Sequence, residues 1–233
     1  MKIAIIGSGI SGLTAGYLLS RNHDVTMFEK NNYIGGHTHT HDIEYEGKNW
    51  AVDSGFIVYN EWTYPNFIKL LDQLDVERQV TRMGFSVKSE SEDLEYAGHS
   101  LNGLFAQRSN LMRPSFIKML YNMKRFNQEA RKDLAAIDPQ TTLGEYLLSN
   151  NYSNEFIQHY IIPIGAAIWS TVPNNMMNIP AVFFIRFFEN HGLLQIINRP
   201  NWWVIKGGSK RYVDKIITKF KDKIRLSTPV KNV

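Results

Sequence analysis

The sequence contains no cysteine among its 233 residues. A disulfide framework and a thiolate metal centre are therefore excluded, since both need cysteine sulfur. Long apolar runs are also scarce, because the longest uncharged ones, 161–169 and 179–185, fall well short of the ~20 residues of a membrane-spanning helix. The first apolar segment starts next to the initiating methionine. We therefore expect no signal peptide and a cytoplasmic enzyme.

Acidic residues are scarce near the carboxyl end, where residues 205–233 hold nine Lys or Arg against two Asp. Such a cluster of positive charge can indicate contact with nucleic acid or with an anionic membrane. The lysines here surround Ile216, Ile217 and Phe220, which is typical of the solvated side of an amphipathic helix. We predict no nucleic-acid partner and leave peripheral contact with a membrane open.

The first 30 residues have the order strand, glycine turn, helix and strand that is typical of dinucleotide binding. The apolar run 3–6 is followed by the hexapeptide Gly7-Ser8-Gly9-Ile10-Ser11-Gly12. Gly7 supplies a tight turn, Gly9 lets the backbone approach a diphosphate, and Gly12 lets the helix lie close to the strand. The helix that begins with Ile10 and Ser11 directs free N–H groups and its positive end at the diphosphate.

An acidic residue, Glu29, ends the second apolar run, 25–28, and is followed by Lys30. A carboxylate at this distance from the glycine turn can accept hydrogen bonds from both hydroxyls of an adenosine ribose. The same negative charge would repel a 2′-phosphate, which argues against NADP. We therefore predict a site for an adenine dinucleotide, with Glu29 and Lys30 at its adenosine end.

A glycine pair follows the ribose acid, at Gly35 and Gly36, with His37 and Thr38 after it. Here the sequence resembles the flavin-containing amine oxidase and phytoene desaturase superfamily, whose motif continues into Glu-x5-Gly-Gly. The resemblance implies FAD as the cofactor, with this tetrapeptide near the flavin diphosphate and ribityl chain. Amine oxidases usually carry Arg where this chain has His37.

Three histidines, His37, His39 and His41, alternate with threonines. In an extended strand their imidazoles would lie on one face, a geometry that could hold a metal. No nearby carboxylate completes a ligand set, and we predict no metal site.

A second family-like segment is Asp53-Ser54-Gly55, which follows a hairpin predicted for 42–46 and 49–52 about Gly47 and Lys48. From the residues alone, a buried strand with a glycine bend is the simpler interpretation. In the resembling family, however, the backbone after this glycine runs along the isoalloxazine ring. The resemblance implies that Gly55, Phe56 and Ile57 contact the flavin, with Tyr59 beside them.

The segment 80–195 is predicted to be mostly helical, with one helix starting at Ser115 and another at the capping box Thr142-x-x-Glu145. We expect it to be a cap or substrate domain inserted into a discontinuous Rossmann-like domain, 1–79 and 196–233. The fold class is α/β, a parallel sheet with helices on both faces. If the apolar stretches 161–169 and 179–188 face the flavin, the substrate is bulky and apolar.

The carboxyl end is predicted to return to the nucleotide domain, with a helix over 210–220 and a strand over 224–226. By resemblance, Val230 presents its backbone to the adenine. The glycine-and-acid motif that closes flavoenzymes of this type does not follow Val230. We therefore expect the chain to be the amino-terminal portion of such an enzyme.

The leading hypothesis is an FAD-dependent oxidoreductase that transfers hydride from a substrate C–H bond to flavin. The substrate would be a small molecule, either an amine or an apolar, lipid-like compound. The sequence indicates neither a catalytic residue nor an oligomeric state. An NAD-dependent dehydrogenase and a non-catalytic nucleotide-binding or membrane-associated protein remain alternatives.

Overall fold

The computed structural model describes residues 1–195 and 197–232. Two compact units make up the chain: unit 1 comprises Met1–Arg82 and Asn201–Val233, and unit 2 comprises Met83–Pro200. Each unit buries its own cluster of apolar side chains. Within the described ranges, none of the helices combines the length and the apolar character that a bilayer crossing requires.

The first part of unit 1 contains six strands and two helices. In chain order these are β1 (Lys2–Ile6), α1 (Ile10–Leu19), β2 (Asp24–Phe28), β3 (Thr40–Tyr45), β4 (Lys48–Asp53), β5 (Tyr59–Asn60), α2 (Pro65–Gln73) and β6 (Arg78–Thr81). Pro65 stands in the first turn of α2, where its missing N–H would have no helical partner.

Unit 2 is mostly helical. Its elements are β7 (Ser86–Ser89), β8 (Leu94–Ala97), α3 (Leu101–Leu104), a 3₁₀ turn (Arg108–Met112), α4 (Pro114–Asp133), α5 (Leu143–Ser149), α6 (Asn154–Phe156), a π turn (Ile157–Ile161), α7 (Ile162–Trp169), a 3₁₀ turn (Pro173–Asn178) and α8 (Ala181–Asn190). The predicted capping box is confirmed, because Thr142 Oγ1 accepts from the Glu145 N–H and the Glu145 carboxylate accepts from the Thr142 N–H.

The chain then returns to unit 1 and completes its sheets. The last elements are β9 (Trp202–Ile205), α9 (Lys210–Ile217), a 3₁₀ turn (Lys221–Lys223) and β10 (Ile224–Arg225). A parallel sheet has the order β1-β2-β10, and a second, antiparallel sheet has the order β5-β9-β6. The parallel sheet with α1 between its first two strands is the arrangement that a Rossmann-like domain requires.

The core of unit 1 explains why a small residue is needed in the middle of α1. A Cβ at Gly16 would lie 2.8 Å from the ring of Phe220 and 3.2 Å from Cε of Met27. The glycine therefore lets α1 approach both β2 and the segment that follows α9. The ring of Phe220 is fully buried at this contact.

Two predicted boundaries are wrong. The hairpin β3–β4 turns at Glu46 and Gly47, both with positive φ, rather than at Gly47 and Lys48, so that Tyr45 pairs with Lys48. A two-residue turn with both central residues left-handed matches the twist of the paired strands, which moves the turn by one position. The helix predicted to reach Phe220 ends at Ile217, although Phe220 still packs in the core.

Candidate functional site

The glycine turn between β1 and α1 brings two backbones into contact. Gly7 has a φ of +89°, and its N–H donates to the carbonyl of Phe28 at 2.8 Å. A Cβ at Gly12 would lie 2.0 Å from the Gly7 carbonyl oxygen, which no side chain tolerates. Gly9, by contrast, has an ordinary φ of −68°, and a Cβ there would meet no atom within 4 Å. A Cβ at Gly7 would also meet no atom within 4 Å, so Gly9 is the position in this turn that combines open space with a φ that any residue can adopt.

The buried carboxylate of Glu29 binds this turn from the end of β2. Its oxygens accept from the N–H and hydroxyl of Ser8 at 2.7 and 2.6 Å, and from the N–H of Asn31 at 2.8 Å. Burial raises the pKa of Glu29, but these hydrogen bonds together outweigh it and leave the pKa below its ordinary value. An ionised carboxylate has about four acceptor sites, and these contacts occupy most of them.

The glycine pair packs directly against the turn. The N–H of Gly35 donates to the carbonyl of Ser8 at 3.0 Å, and a Cβ at Gly36 would lie 3.0 Å from Cα of Gly9. Both glycines have positive φ. The pair is therefore required by the chain's own packing, in addition to any contact with a ligand.

A cavity of about 570 Å³ opens at the start of α1. It is lined by Ile6, Gly7, Gly9, Ile10, Ser11, Gly12, Gly35, Gly36, His37, Thr38, Phe56, Tyr64, Phe67 and Tyr212. One end of this cavity, which we call the nucleotide cavity, is backbone at the helix start, and the other end is aromatic. The first N–H groups of α1 have no intrahelical partner, and the N-cap residue Gly9 has no side chain to satisfy them.

The aromatic end is held by edge-to-face ring contacts and one hydroxyl pair. Phe67 packs edge-on against Phe56 and Tyr212, with ring centroids 5.6 and 5.3 Å apart. The hydroxyl of Tyr212 lies 2.6 Å from Oγ1 of Thr38, across 174 residues of sequence. Burial raises the pKa of Tyr212 and of Tyr64, so both phenols stay protonated at neutral pH.

A second cavity, of about 450 Å³, lies at the carboxyl end of β2. It is lined by Ile6, Gly7, Phe28, Glu29, Lys30, Asn31, Tyr33, Gly36, His37, Thr228, Pro229 and Val230. This adenosine-side cavity shares Ile6, Gly7, Gly36 and His37 with the nucleotide cavity. The two spaces therefore adjoin at the glycine turn.

The chain after β10 forms one wall of the adenosine-side cavity. Glu29 donates its N–H to the carbonyl of Arg225 at 2.9 Å, and its own carbonyl accepts from the N–H of Thr228 at 2.8 Å. These bonds extend the parallel pairing of β10 with β2 and place Val230 at the cavity.

Most of the residues proposed from sequence are brought together by these two cavities. Ten line the nucleotide cavity: Gly7, Gly9, Ile10, Ser11, Gly12, Gly35, Gly36, His37, Thr38 and Phe56. Glu29, Lys30 and Val230 line the adenosine-side cavity. Gly55 and Ile57 line neither cavity. A Cβ at Gly55 would lie 1.8 Å from the His37 carbonyl oxygen, so the chain itself requires this glycine, and Ile57 is half exposed.

Several lining residues were missed by the sequence reasoning. Tyr64, Phe67 and Tyr212 form the aromatic end, and Ser8 joins the turn to both Glu29 and Gly35. The position of Ser8 inside the glycine turn was the one available signal for it. Phe67 lies on α2, Tyr64 directly precedes α2, and Tyr212 lies on α9. All three are far from the motifs in sequence and carry no sequence signal of their own.

Two of the alternating histidines, His39 and His41, contact neighbouring side chains. His39 stacks on Tyr33 with ring centroids 4.4 Å apart, and His41 pairs through Nε2 with Oγ of Ser54 at 2.9 Å. Among the described residues, no group of three His, Asp or Glu side chains could hold a metal ion.

Comparison with known proteins places this site in a family context. Residues 5–74 match the model of a family described as an NAD(P)-binding Rossmann-like domain. The chain is 57% identical over 42 residues to a tryptophan 2-monooxygenase of Allorhizobium ampelinum, a match that covers 17% of this chain and 6% of the relative. It is 57% identical over 37 residues to a 4,4′-diapophytoene desaturase of Staphylococcus aureus, which covers 16% of this chain and 7% of the relative.

The fold as a whole is also similar to that of a solved oxidase. A cyclohexylamine oxidase from Brevibacterium oxydans superposes with a TM-score of 0.68 at 19% identity. The match covers 98% of this chain and 51% of the oxidase, so the chain spans about half the length of that relative. The α/β class and the resemblance to the flavin-containing amine oxidase and phytoene desaturase superfamily are both confirmed.

Proposed function

We propose that this chain, with its resemblance to the flavin-containing amine oxidase and phytoene desaturase superfamily, binds FAD and serves an FAD-dependent oxidoreductase. One observation carries the proposal: the aromatic nucleotide cavity and the adenosine-side cavity adjoin at the glycine turn, so that Glu29, the start of α1 and the aromatic rings border connected spaces. Gly36 lines both cavities, at the point where they adjoin.

The residues fit the chemistry of each part of FAD. The ionised Glu29 suits a ribose hydroxyl and disfavours a 2′-phosphate. The open space at Gly9 admits a diphosphate next to the unpaired N–H groups of α1. Phe56, Phe67 and Tyr212 offer flat apolar surfaces to an isoalloxazine ring.

The chemistry supplied by bound FAD would be acceptance of a hydride from a substrate C–H bond. The chain's own side chains orient the cofactor and exclude water. Ser8 fixes the Glu29 carboxylate through two hydrogen bonds, and Thr38 fixes the Tyr212 hydroxyl. The aromatic rings supply the apolar part of the cavity lining.

The substrate class that we propose is an amine or an apolar, lipid-like small molecule, and unit 2 is the proposed substrate domain. Oxidation of an amine and desaturation of a hydrocarbon both break a substrate C–H bond, so one cofactor geometry suits both. The apolar rings of Phe56 and Phe67 in the lining of the nucleotide cavity support a substrate that is apolar near its reacting C–H bond.

The test is to purify the chain and record its visible absorption, followed by titration with FAD and, separately, with NADH. A flavin spectrum, or quenching of FAD fluorescence with ADP as a competitor, is the expected result. A colourless protein that quenches no FAD contradicts the proposal. A change of NADH fluorescence without FAD binding would instead favour a nicotinamide-dependent dehydrogenase.

A further inference from the structure

Unit 2 carries an exposed surface that its core does not use. Four large apolar side chains, Leu111, Met112, Ile117 and Tyr121, lie around a shallow groove at the start of α4. Their exposed fractions are 55, 88, 44 and 63%. Exposed apolar side chains that adjoin one another indicate a contact surface more often than single ones do.

The chain around this groove is positively charged. Residues 97–128 contain five Lys or Arg and no Asp or Glu. The five are Arg108, Arg113, Lys118, Lys124 and Arg125. Arg113 and Lys118 line the groove itself.

Part of this charge is already neutralised within the protein. Lys118 lies 3.4 Å from a carboxylate oxygen of Glu155, and Arg125 lies 3.2 Å from that of Glu129. Arg113 donates to the backbone carbonyls of residues 92 and 93, and Arg108 donates to that of residue 105 and to the side-chain amide oxygen of residue 102. Across the described residues, Arg108, Arg113 and Lys124 form no ion pair. Arg113, however, lines a neighbouring cavity together with Glu92 and Glu155, so the positive charge of this surface comes from Arg108 and Lys124.

We propose that this surface, defined by Leu111, Met112, Ile117 and Tyr121 with Arg108 and Lys124, docks the protein on an anionic lipid bilayer. Apolar side chains that project beside cations are the pattern of interfacial membrane binding. The apolar groups enter the boundary between headgroups and acyl chains, while the cations meet lipid phosphates.

The apolar component separates a bilayer from other anionic partners. A nucleic acid would gain nothing from Met112, which is the most exposed of the four, because phosphate contacts need only cations. The basic carboxyl-terminal segment of unit 1 also carries excess lysine, but its apolar residues Ile216, Ile217 and Phe220 are buried. Its exposed apolar residues, Leu226 and Val230, are 38 and 40% exposed, which is less than any of the four side chains at the groove, so that segment offers less apolar surface for insertion.

The test is flotation of the full chain with two kinds of vesicle. Neutral vesicles contain phosphatidylcholine alone, and anionic vesicles also contain about 30 mol% phosphatidylglycerol. We expect binding to the anionic vesicles at low salt and loss of binding at high salt. Arg108→Gln with Lys124→Gln should weaken partitioning by about 30-fold, from about fivefold for each cation. Met112→Ser with Ile117→Ser should weaken it by roughly tenfold or more for each side chain.

Matched controls use other surfaces of the same chain. Leu148→Ser removes an exposed apolar side chain of α5 in unit 2, and Lys219→Gln with Lys221→Gln removes two exposed cations of unit 1. Both controls should float as the parent does. Equal binding to neutral vesicles, or equal loss in the controls, would overturn the proposal.

A further measurement separates lipid from other polyanions and does not depend on loss of binding. Met112→Trp should give a blue shift of fluorescence with anionic vesicles, because its indole enters an apolar layer. Binding to a heparin column that Met112→Ser leaves unchanged, together with no blue shift, would assign the surface to an acidic macromolecule and contradict the lipid assignment.

Discussion

Two glycines three residues apart should respond in opposite ways to the same added methyl group. In Gly12→Ala the new Cβ meets the Gly7 carbonyl oxygen at 2.0 Å, so α1 must move away from β1 by about 1 Å or more. In Gly9→Ala the new Cβ meets nothing within 4 Å, and φ of −68° suits any residue. The two variants therefore separate the packing role of the turn from its binding role.

The magnitudes follow from these contacts. Overpacking lowers the free energy of unfolding by ~1–3 kcal/mol where neighbouring side chains can move aside. A backbone carbonyl can move least, so Gly12→Ala should lower the free energy of unfolding by about 3 kcal/mol or more. In Gly9→Ala, the alanine restricts the unfolded chain and so stabilises the fold by ~0.4–1 kcal/mol. Alanine is also a poorer N-cap residue than glycine, which destabilises the fold by a similar amount, so the net change is small. The added methyl would displace a diphosphate from one charge-assisted hydrogen bond, worth ~1.5–3 kcal/mol, or roughly 10- to 100-fold in affinity.

The assay pairs thermal unfolding with FAD titration followed by flavin fluorescence. Gly9→Ala should keep the parent's unfolding temperature and lose affinity for FAD, whereas Gly12→Ala should unfold at a clearly lower temperature. An unchanged affinity in Gly9→Ala would refute the assignment of this turn to a diphosphate. A fully stable Gly12→Ala would refute the contact geometry itself.

Three further variants test the rest of unit 1. The pKa of Glu29 is lowered in the folded protein, so the ionised carboxylate adds to the free energy of unfolding above the ordinary pKa of 4.5, and this contribution is lost as the pH falls through the folded pKa. Glu29→Gln should therefore have a smaller free energy of unfolding at pH 7. Urea unfolding at a series of pH values should also show that the variant loses this part of the acid sensitivity. Gly16→Ala should lower the free energy of unfolding by ~1–3 kcal/mol, because its Cβ would lie 2.8 Å from the ring of Phe220. Adding Phe220→Leu to this variant should recover part of that loss. If the losses of the two single variants simply add in the double variant, the contact is contradicted. Tyr212→Phe should lower the free energy of unfolding by ~1 kcal/mol, because it removes the 2.6 Å contact between the Tyr212 hydroxyl and Thr38. It should also lower the affinity for FAD more than the affinity for ADP. Equal losses of affinity for both ligands would place this hydroxyl pair away from the flavin.

The local chemistry of the first 40 residues is strong enough to be predicted from the sequence. Gly7 is needed for a turn of positive φ, and Gly12 and Gly36 are needed where backbones touch, and these requirements act over only a few residues. The capping box at Thr142 and the proline start of α2 are predictable for the same reason. The hairpin turn was misplaced by one residue because glycine fits either central position.

The lining of the cavities depends on residues that are distant in sequence. Tyr212 meets Thr38 only because α9 returns to unit 1, and Val230 reaches the adenosine-side cavity only through the pairing of β10 with β2. Gly55 illustrates the reverse case, since its small size is explained by the His37 carbonyl and not by a ligand.

The sequence by itself determined the glycine turn, the acid that follows it and the order of strands and helices, because these depend on backbone conformation and short-range hydrogen bonding. Only the tertiary structure decided that Ser8 binds the Glu29 carboxylate and that four aromatic rings form the far end of the nucleotide cavity. It also decided which apolar side chains of unit 2 remain exposed beside cations. Packing between distant segments selects these partners, and no local pattern encodes it.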